Sequence, residues 1–267
     1  MCAVRLSFFL KGFKKDFIRL TLSRNIMQSK ADNADKSAVL PDMRKSYHDA
    51  DSIFDVNDLS SRNPMKQFEA WFNDICAHKS IEEPNAMAIA TATKSGIPSV
   101  RMVLCKGLSP EGFTFYTNFA SKKGNELAEN PNCSLMFYWE PLKRSVRVEG
   151  IAELIPEEKS EEYFQSRPKE SQLGAMVSKQ SSVIENRQVL DKKLKDLREQ
   201  FDSVERVDKP KYWGGFLIRP YAFEFWQGQT NRLHDRLTFR KLAEGEKFNP
   251  DVMTKGEEEW IIERLSS

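Results

Sequence analysis

Between Ala86 and Leu154 the chain alternates strand-like runs with turns too short to hold a crossover helix. A-M-A-I-A-T-A-T and I-P-S-V-R-M-V-L-C-K meet at K-S-G, and G-L-S-P-E-G leads into F-T-F-Y-T-N. C-S-L-M-F-Y-W then turns through E-P-L-K into R-S-V-R-V-E-G-I-A-E-L. Parallel neighbours need a dozen or more connecting residues, so hairpin-length links impose antiparallel pairing. Five such strands in about seventy residues predict a meander that closes into a barrel. A short helix interrupts it, opening at Ser121 and stopping at Pro131. Ahead of it, Asn63 caps a helix whose first residue, Pro64, needs no donor, and Met65, Phe68, Trp71, Phe72, Ile75 and Cys76 follow at helical spacing. Helical patterns return from Pro156 to about Phe201, with breaks at Pro168 and S-S-V-I. Strands end the chain at Y-W-G-G-F-L-I-R, A-F-E-F-W-Q, R-L-T-F-R and E-W-I-I-E-R-L. The predicted class is α+β, an antiparallel barrel with inserted and flanking helices.

That body occupies residues 64–267. Residues 31–63 are polar and aperiodic and read as a mobile arm, in which M-R-K-S-Y (43–47) is the stretch suited to specific contacts. Residues 1–30 carry Arg5, Lys11, Lys14, Lys15, Arg19, Arg24 and Lys30 against Asp16 alone. Leu6, Phe9, Leu10, Phe13, Phe17 and Leu20 fall on one helical face, as in a mitochondrial targeting segment. A plain N-terminal extension of a cytoplasmic protein is the alternative reading, and both stand. A net charge of +2 gives no global argument for nucleic acid or membrane, so any anion site must be local. The four cysteines lack ligand spacing and read as buried, reduced thiols. With three histidines, a metal site is not expected.

Phosphate-loop, dinucleotide, zinc-protease and nucleophile-elbow signatures are missing. What remains is cations at strand ends and helix starts. Arg101 and Lys106, five apart on one expected strand, should face opposite sides, which turns one of them inward. Lys122 and Lys123 occupy the first turn of a helix, the wrong end for a cation unless an anion sits there too. A solvated surface pair is the plainer alternative. Tyr163, Arg167 and Ser171 recur every four residues, on one face if the helix survives Pro168, as a second oxyanion cradle or an exposed face. K-Q-S-S (179–182) adds hydroxyl donors. Together these suggest two anion sites beside aromatic walls, as a flat phosphorylated cofactor and a phosphorylated substrate require.

R-M-V-L-C-K-G, F-Y-T-N-F-A-S-K-K-G, F-Y-W-E-P-L, Y-F-Q-S-R-P-K-E-S-Q-L-G-A, S-K-Q-S-S-V-I, W-G-G-F and E-F-W-Q-G-Q-T-N-R-L-H-D-R, in that order, closely resemble the pyridoxine (pyridoxamine) 5′-phosphate oxidase family. The resemblance runs from about Met43 to the last residue. It implies an FMN-binding split barrel working as a homodimer, with FMN at the subunit interface. The implied reaction oxidises pyridoxine or pyridoxamine 5′-phosphate to pyridoxal 5′-phosphate, a vitamin B6 salvage step. A hydride passes to the flavin, and O2 is reduced to hydrogen peroxide. By position, Arg101, Met102, Val103, Leu104, Tyr116, Thr117, Lys122, Lys123, Ser145, Gln180, Ser181, Trp226 and Arg236 are implied to hold FMN. Lys106, Tyr163, Arg167 and Ser171 are implied to grip the substrate phosphate. Arg232, Leu233 and His234 are implied to lie over the pyridine ring, with Arg232 and His234 catalytic, and the resemblance places a lid on Arg44 and Tyr47. Many members carry Gln where this chain has Ser145, so that FMN contact is expected to be shorter or water-mediated. On an extended segment, Arg232 and His234 would project to one side. The rival readings are a split barrel that binds without turnover and a β-barrel nucleic-acid module.

Overall fold

The computed structural model describes Tyr47 and residues 53–267. Expectations for residues 1–30, for Arg44 and for the rest of the arm up to residue 52 lie outside these.

Helix α1 (Pro64–Cys76) opens as expected: the Asn63 side chain accepts the Met65 and Lys66 amides at 2.9 and 3.3 Å. Its apolar stripe fills the barrel, with Phe68 edge-on to Phe113 and Phe137 at ring separations of 4.9 Å each. The strands are β1 (Ala86–Ala92), β2 (Pro98–Leu104), β3 (Gly107–Ser109), β4 (Gly112–Asn118), β5 (Asn132–Trp139) and β6 (Arg144–Leu154). They continue as β7 (Trp213–Gln227), β8 (Asp235–Arg240), β9 (Met253–Lys255) and β10 (Ile261–Arg264). Helix α2 (Lys122–Glu129) lies between β4 and β5; α3 (Glu157–Ser166), α4 (Lys169–Val177) and α5 (Gln188–Gln200) lie between β6 and β7.

Every ladder is antiparallel, in the order β2-β1-β5-β6-β7-β8-β10-β9, with β4 paired to β3 and β7. Strand β7 keeps β6 on one side; on the other it pairs first with β4 (through Ile218) and then with β8 (from Ala222). Strands β2 and β4 form no ladder, and the bond from Lys106 N–H to Thr114 O (2.8 Å) bridges them, so the barrel is split along that edge. Inward residues alternate along the strands, among them Met87 and Ile89, Leu135 and Phe137, Phe223 and Phe225. The opposite face leaves apolar side chains bare: Val100 is 67% exposed, Met102 65% and Tyr138 53%.

Several boundaries differ from expectation. Y-W-G-G-F-L-I-R and A-F-E-F-W-Q form one strand, because a register shift at Glu149/Gly150 accommodates Pro220 without ending the ladder. Strands β3 and β9 have three residues each, too few to show a period. The packed body begins before Asn63: Phe54 is buried, its ring 4.9 Å from Trp71. Of the described cysteines, Cys133 is buried, Cys105 half-buried and Cys76 exposed on α1, and all three are free thiols. Among the described residues no helix is long and apolar enough to cross a membrane, and no cluster of metal-ligating side chains occurs.

Candidate functional site

The split between β2 and β4 opens into a cleft of about 810 Å³, roofed by the start of α2 and by the α3–α4 corner. Arg101, Met102, Val103, Leu104 and Lys106 line one wall, Tyr116 and Thr117 another, with Lys122, Lys123, Gln180 and Ser181 at the helix start and Tyr163, Arg167 and Ser171 at the corner. Arg101 and Lys106 therefore share a cleft, contrary to the expected opposition. Strand β2 ends at Leu104, and the chain bends before Lys106, which breaks the two-residue alternation. Tyr163, Arg167 and Ser171 also converge, though not on one helix. The residue before a proline avoids the helical region; Arg167 is extended (ψ 147°), and α4 restarts after Pro168.

Ser121 caps α2, its hydroxyl accepting the Gly124 amide at 3.3 Å. The Lys122 amide donates to the Ser181 hydroxyl at 3.2 Å, and Ser181 itself is left-handed (φ 71°). Lys123 is buried; its Nζ donates to Thr117 Oγ1 (2.9 Å), Gln180 Oε1 (3.1 Å) and Ser121 Oγ (3.4 Å). Among the described residues no carboxylate lies within ion-pair distance of it. Burial, helped by the charge of Arg101, pushes its pKa down to about 8. Arg101 is differently placed: it donates to Thr91 Oγ1 (2.5 Å), Ile89 O (3.3 Å), Glu126 Oε2 (3.2 Å) and the Ser99 hydroxyl. Burial alone would raise the carboxyl of Glu126; hydrogen bonds from Ser99, Thr91 and Arg101 bring it below the usual range. Arg101 is thus paired within the fold, and the exposed Lys122 reaches Glu126 Oε1 at 3.9 Å, leaving Lys123 as the buried cation for an incoming anion.

At the corner, Tyr163 stacks on Tyr116 at 3.9 Å, and Tyr116 stacks on Trp213 at 5.4 Å. The Arg167 guanidinium rests 4.9 Å from the Trp213 ring, and its buried Nη1 has no hydrogen-bond partner among the described residues. Burial lowers its pKa from the ordinary arginine value. A desolvated guanidinium nitrogen without an acceptor favours an anion in the cleft.

The remaining predicted residues lie elsewhere, on the outer face of β5–β8. A second cleft of about 550 Å³ is lined by Ser145, Trp226, His234 and Arg236, with Met136, Tyr138, Arg147, Glu224 and Ser267. Ser145 and Arg236 flank Trp226 across the ladders. Glu224 accepts from Arg236 Nε and Arg147 Nη2, both at 2.7 Å. Arg232 and His234 are not on an extended segment: β7 stops at Gln227 and β8 starts at Asp235. Between them Arg232 turns left-handed (φ 69°), its amide bonded to Gln229 O at 3.2 Å. The two side chains still converge on Tyr47. The Arg232 guanidinium lies 5.9 Å and the His234 ring 6.0 Å from the tyrosine ring, and the Tyr47 amide donates to Thr230 Oγ1 at 3.0 Å. Leu233 points outward, 70% exposed. His234 Nδ1 accepts the Gln229 amide at 3.0 Å, so the neutral ring carries its proton on Nε2. Burial, then the charge of Arg232, lowers its pKa below the ordinary 6.5, against a smaller upward pull from Asp235.

Sequence reasoning missed Glu126 and the braces behind His234. Glu126 stands four residues after Lys122, a spacing that suits a surface ion pair as well as a buried anchor.

Two family models cover most of this body: one for pyridoxamine 5′-phosphate oxidase over residues 77–201, and one for the pyridoxine 5′-phosphate oxidase C-terminal dimerisation region over residues 213–267. The chain is 53% identical over 225 residues to pyridoxine-5′-phosphate oxidase of Bos taurus (84% of this chain, 86% of that one). It is 48% identical over 225 residues to pyridoxine/pyridoxamine 5′-phosphate oxidase of Bombyx mori (84% and 88%). Among solved structures it resembles PhzG from Burkholderia lata in complex with tetrahydrophenazine-1-carboxylic acid, with TM-score 0.70 and 23% identity over 82% of this chain and all of that one. A pyridoxamine 5′-phosphate oxidase-related, FMN-binding protein from Nostoc punctiforme aligns with TM-score 0.57 and 14% identity, over 76% and 98% of the chains. These two likenesses concern the antiparallel split-barrel fold alone.

Proposed function

Because the chain belongs to the pyridoxine 5′-phosphate oxidase family, we propose that it oxidises pyridoxine and pyridoxamine 5′-phosphate to pyridoxal 5′-phosphate with FMN and O2, in vitamin B6 salvage. The observation that carries the cofactor assignment is Lys123, a buried cation at a helix start with no carboxylate in ion-pair reach among the described residues. It fits a phosphate held by Lys122, Lys123, Gln180 and Ser181, with the flavin ring along Arg101–Leu104, Tyr116 and Thr117. Arg167, with its unpartnered nitrogen, fits the substrate phosphate together with Lys106, Tyr163 and Ser171. Bound FMN would supply the two-electron acceptor for the substrate hydride, with O2 as the terminal oxidant reduced to hydrogen peroxide.

The residues of the outer cleft complete the site from a second copy. Thr117 pairs with Gly214, twelve residues before Trp226 on β7, and the two clefts share no lining residue. The phosphate cradle and Trp226 of one chain therefore stand well apart, by up to roughly 40 Å along the strand. No single FMN spans that, whereas a partner can bring its own Ser145, Trp226 and Arg236 to the flavin. The matched dimerisation region and the bare apolar face around Val100, Met102 and Tyr138 support this arrangement. In it, Arg232 supplies a permanent cation to the substrate ring, and Tyr47, with Arg44 outside the described residues, covers it. His234 enters neutral and donates from Nε2 to the pyridine 3′-oxygen, holding a proton there while the substrate changes charge.

The test is the purified protein itself. It should be yellow and release one FMN per chain on denaturation, and should form pyridoxal 5′-phosphate and peroxide in equal amounts from pyridoxine 5′-phosphate. Absence of flavin, or release of an adenylated flavin, would remove the cofactor assignment. Bound FMN without peroxide would leave a binding protein.

A further inference from the structure

We infer that Asp235 is a positioning residue: braced by Arg264 and Gln229, it holds the 228–234 turn so that His234 presents a protonated Nε2 to the substrate. The inference rests on the role given to His234 above, but its primary readout does not depend on turnover.

The turn needs a brace. It carries a left-handed non-glycine residue at Arg232 and an outward leucine at 233, and neither anchors it to the core. The Gly228 amide ties its start to Lys143 O at 2.8 Å, and its other end is fixed by Asp235, 5% exposed at the start of β8. Asp235 Oδ2 accepts from Gln229 Nε2 at 2.7 Å and from the Phe54 amide at 3.0 Å, while Oδ1 accepts from Arg264 Nη1 at 2.9 Å. Arg264 turns its other nitrogen to Phe54 O (2.6 Å) and Asp55 Oδ1 (3.0 Å). One carboxylate therefore ties β10, the segment entering α1, and Gln229 into a single node. Gln229 transmits the constraint: its side chain is held by Asp235, and its own amide donates to His234 Nδ1 at 3.0 Å. From the far side, the Ser267 hydroxyl donates to His234 O at 2.6 Å.

The consequence is chemical. A neutral imidazole has one donor and one acceptor nitrogen, and the bond made at one fixes the proton on the other. With the Asp235 bond lost, the Gln229 amide is held less firmly against Nδ1, and the ring can exchange tautomers or swing. Asn at 235 keeps one acceptor oxygen for Arg264, but its amide nitrogen cannot accept from Gln229 or Phe54.

The experiment is ¹⁵N NMR of the imidazole nitrogens in the full-length flavin-loaded protein. Its three histidines, His48, His78 and His234, permit assignment by single substitution. In the parent protein at pH 7.5 His234 should show one tautomer, protonated at Nε2. Asp235→Asn should give averaged nitrogen shifts, a KM for pyridoxine 5′-phosphate raised roughly tenfold, a smaller change in kcat and undiminished FMN. Arg264→Lys, which keeps one charged contact and loses the fork, should fall between. Should Asp235→Asn not fold, Arg264→Lys alone decides. Retention of a single Nε2-protonated tautomer in whichever variant folds overturns the inference, whatever its KM. A parent protein that shows this tautomer yet forms no peroxide would sink the oxidase reading and leave the brace standing.

Discussion

Lys123 gives up solvation at the start of α2 and receives three neutral acceptors in return. Its pKa of about 8 should rise when a phosphate dianion binds beside it. Below pH 8 the lysine is already protonated, and binding needs no proton. Above it, FMN must bring a proton in, and affinity should fall by up to about tenfold per pH unit until the raised pKa is reached. Flavin fluorescence titrations between pH 7 and 10 check this. A flat profile, or an unchanged slope in Lys123→Met, would contradict it. At the outer cleft, Arg232→His removes a charged fork from the substrate and should cost about 1.5–3 kcal/mol, or roughly 10- to 150-fold in kcat/KM, while FMN content stays stoichiometric. His234→Asn should lower turnover and erase the acid limb of the pH–rate profile. That limb should lie below pH 6.5, because burial and Arg232 depress the histidine. Parallel pH–rate series on both proteins decide the point, and an acid limb surviving in His234→Asn would refute it. At this scale the placement of Lys122 and Lys123 in the first turn of a helix was legible, an arrangement that contradicts the helix dipole unless an anion is present. The burial of Lys123 beside an exposed Lys122 was not. Glu126 and Asp235 were not, because their importance lies in burial and in partners far along the chain: Glu126 meets Arg101, and Asp235 meets Arg264.

At the scale of elements, α2 is placed by backbone contact as much as by its cap. A Cβ on Gly124 would come within 2.1 Å of Phe119 O, so the helix can sit this close to the preceding turn only with glycine there. Gly124→Ala should push the first turn outward, lower stability by about 1–3 kcal/mol and weaken FMN binding through Lys123. Thermal melts with and without FMN check this, and an unchanged melting temperature would show that the turn yields freely. Strand periodicity and cap chemistry made most elements readable: Asn63 and Ser121 cap where expected, and β1, β5, β6 and β8 alternate cleanly. The misreadings share a cause. Pro220 inside β7 and Arg232 in the turn after Gln227 are positions where tertiary pairing or a single dihedral overrides local pattern, whereas the break at Pro168 falls where expected. Convergence of Tyr163, Arg167 and Ser171 survived the broken helix because the corner, rather than one helical face, gathers them.

For the whole molecule, the bare face of the sheet sets the expectation of a homodimer with an interface of about 2,000 Å² or more. Met102→Asp would place a charge among Val100, Tyr138 and Met136 on that face. It should yield monomers by light scattering and lose flavin in the same step; a monomer that stays yellow and active would break the link between assembly and cofactor. Deleting residues 1–40 should leave catalysis intact, which kinetics on the shortened chain would test.

The unbroken run of β7 has a genetic corollary. If one chain lends its cradle to one catalytic centre and its His234 turn to the other, two different lesions can hide each other. A dimer of one Lys123→Met copy and one His234→Asn copy concentrates both faults in one centre and leaves the second whole. Random mixing of two nearly inactive homodimers should then restore about a quarter of parental activity, half the pairs being mixed and half of each mixed pair intact. Two recessive defects in different clefts of this chain would complement each other inside a single cell, while two in the same cleft would not.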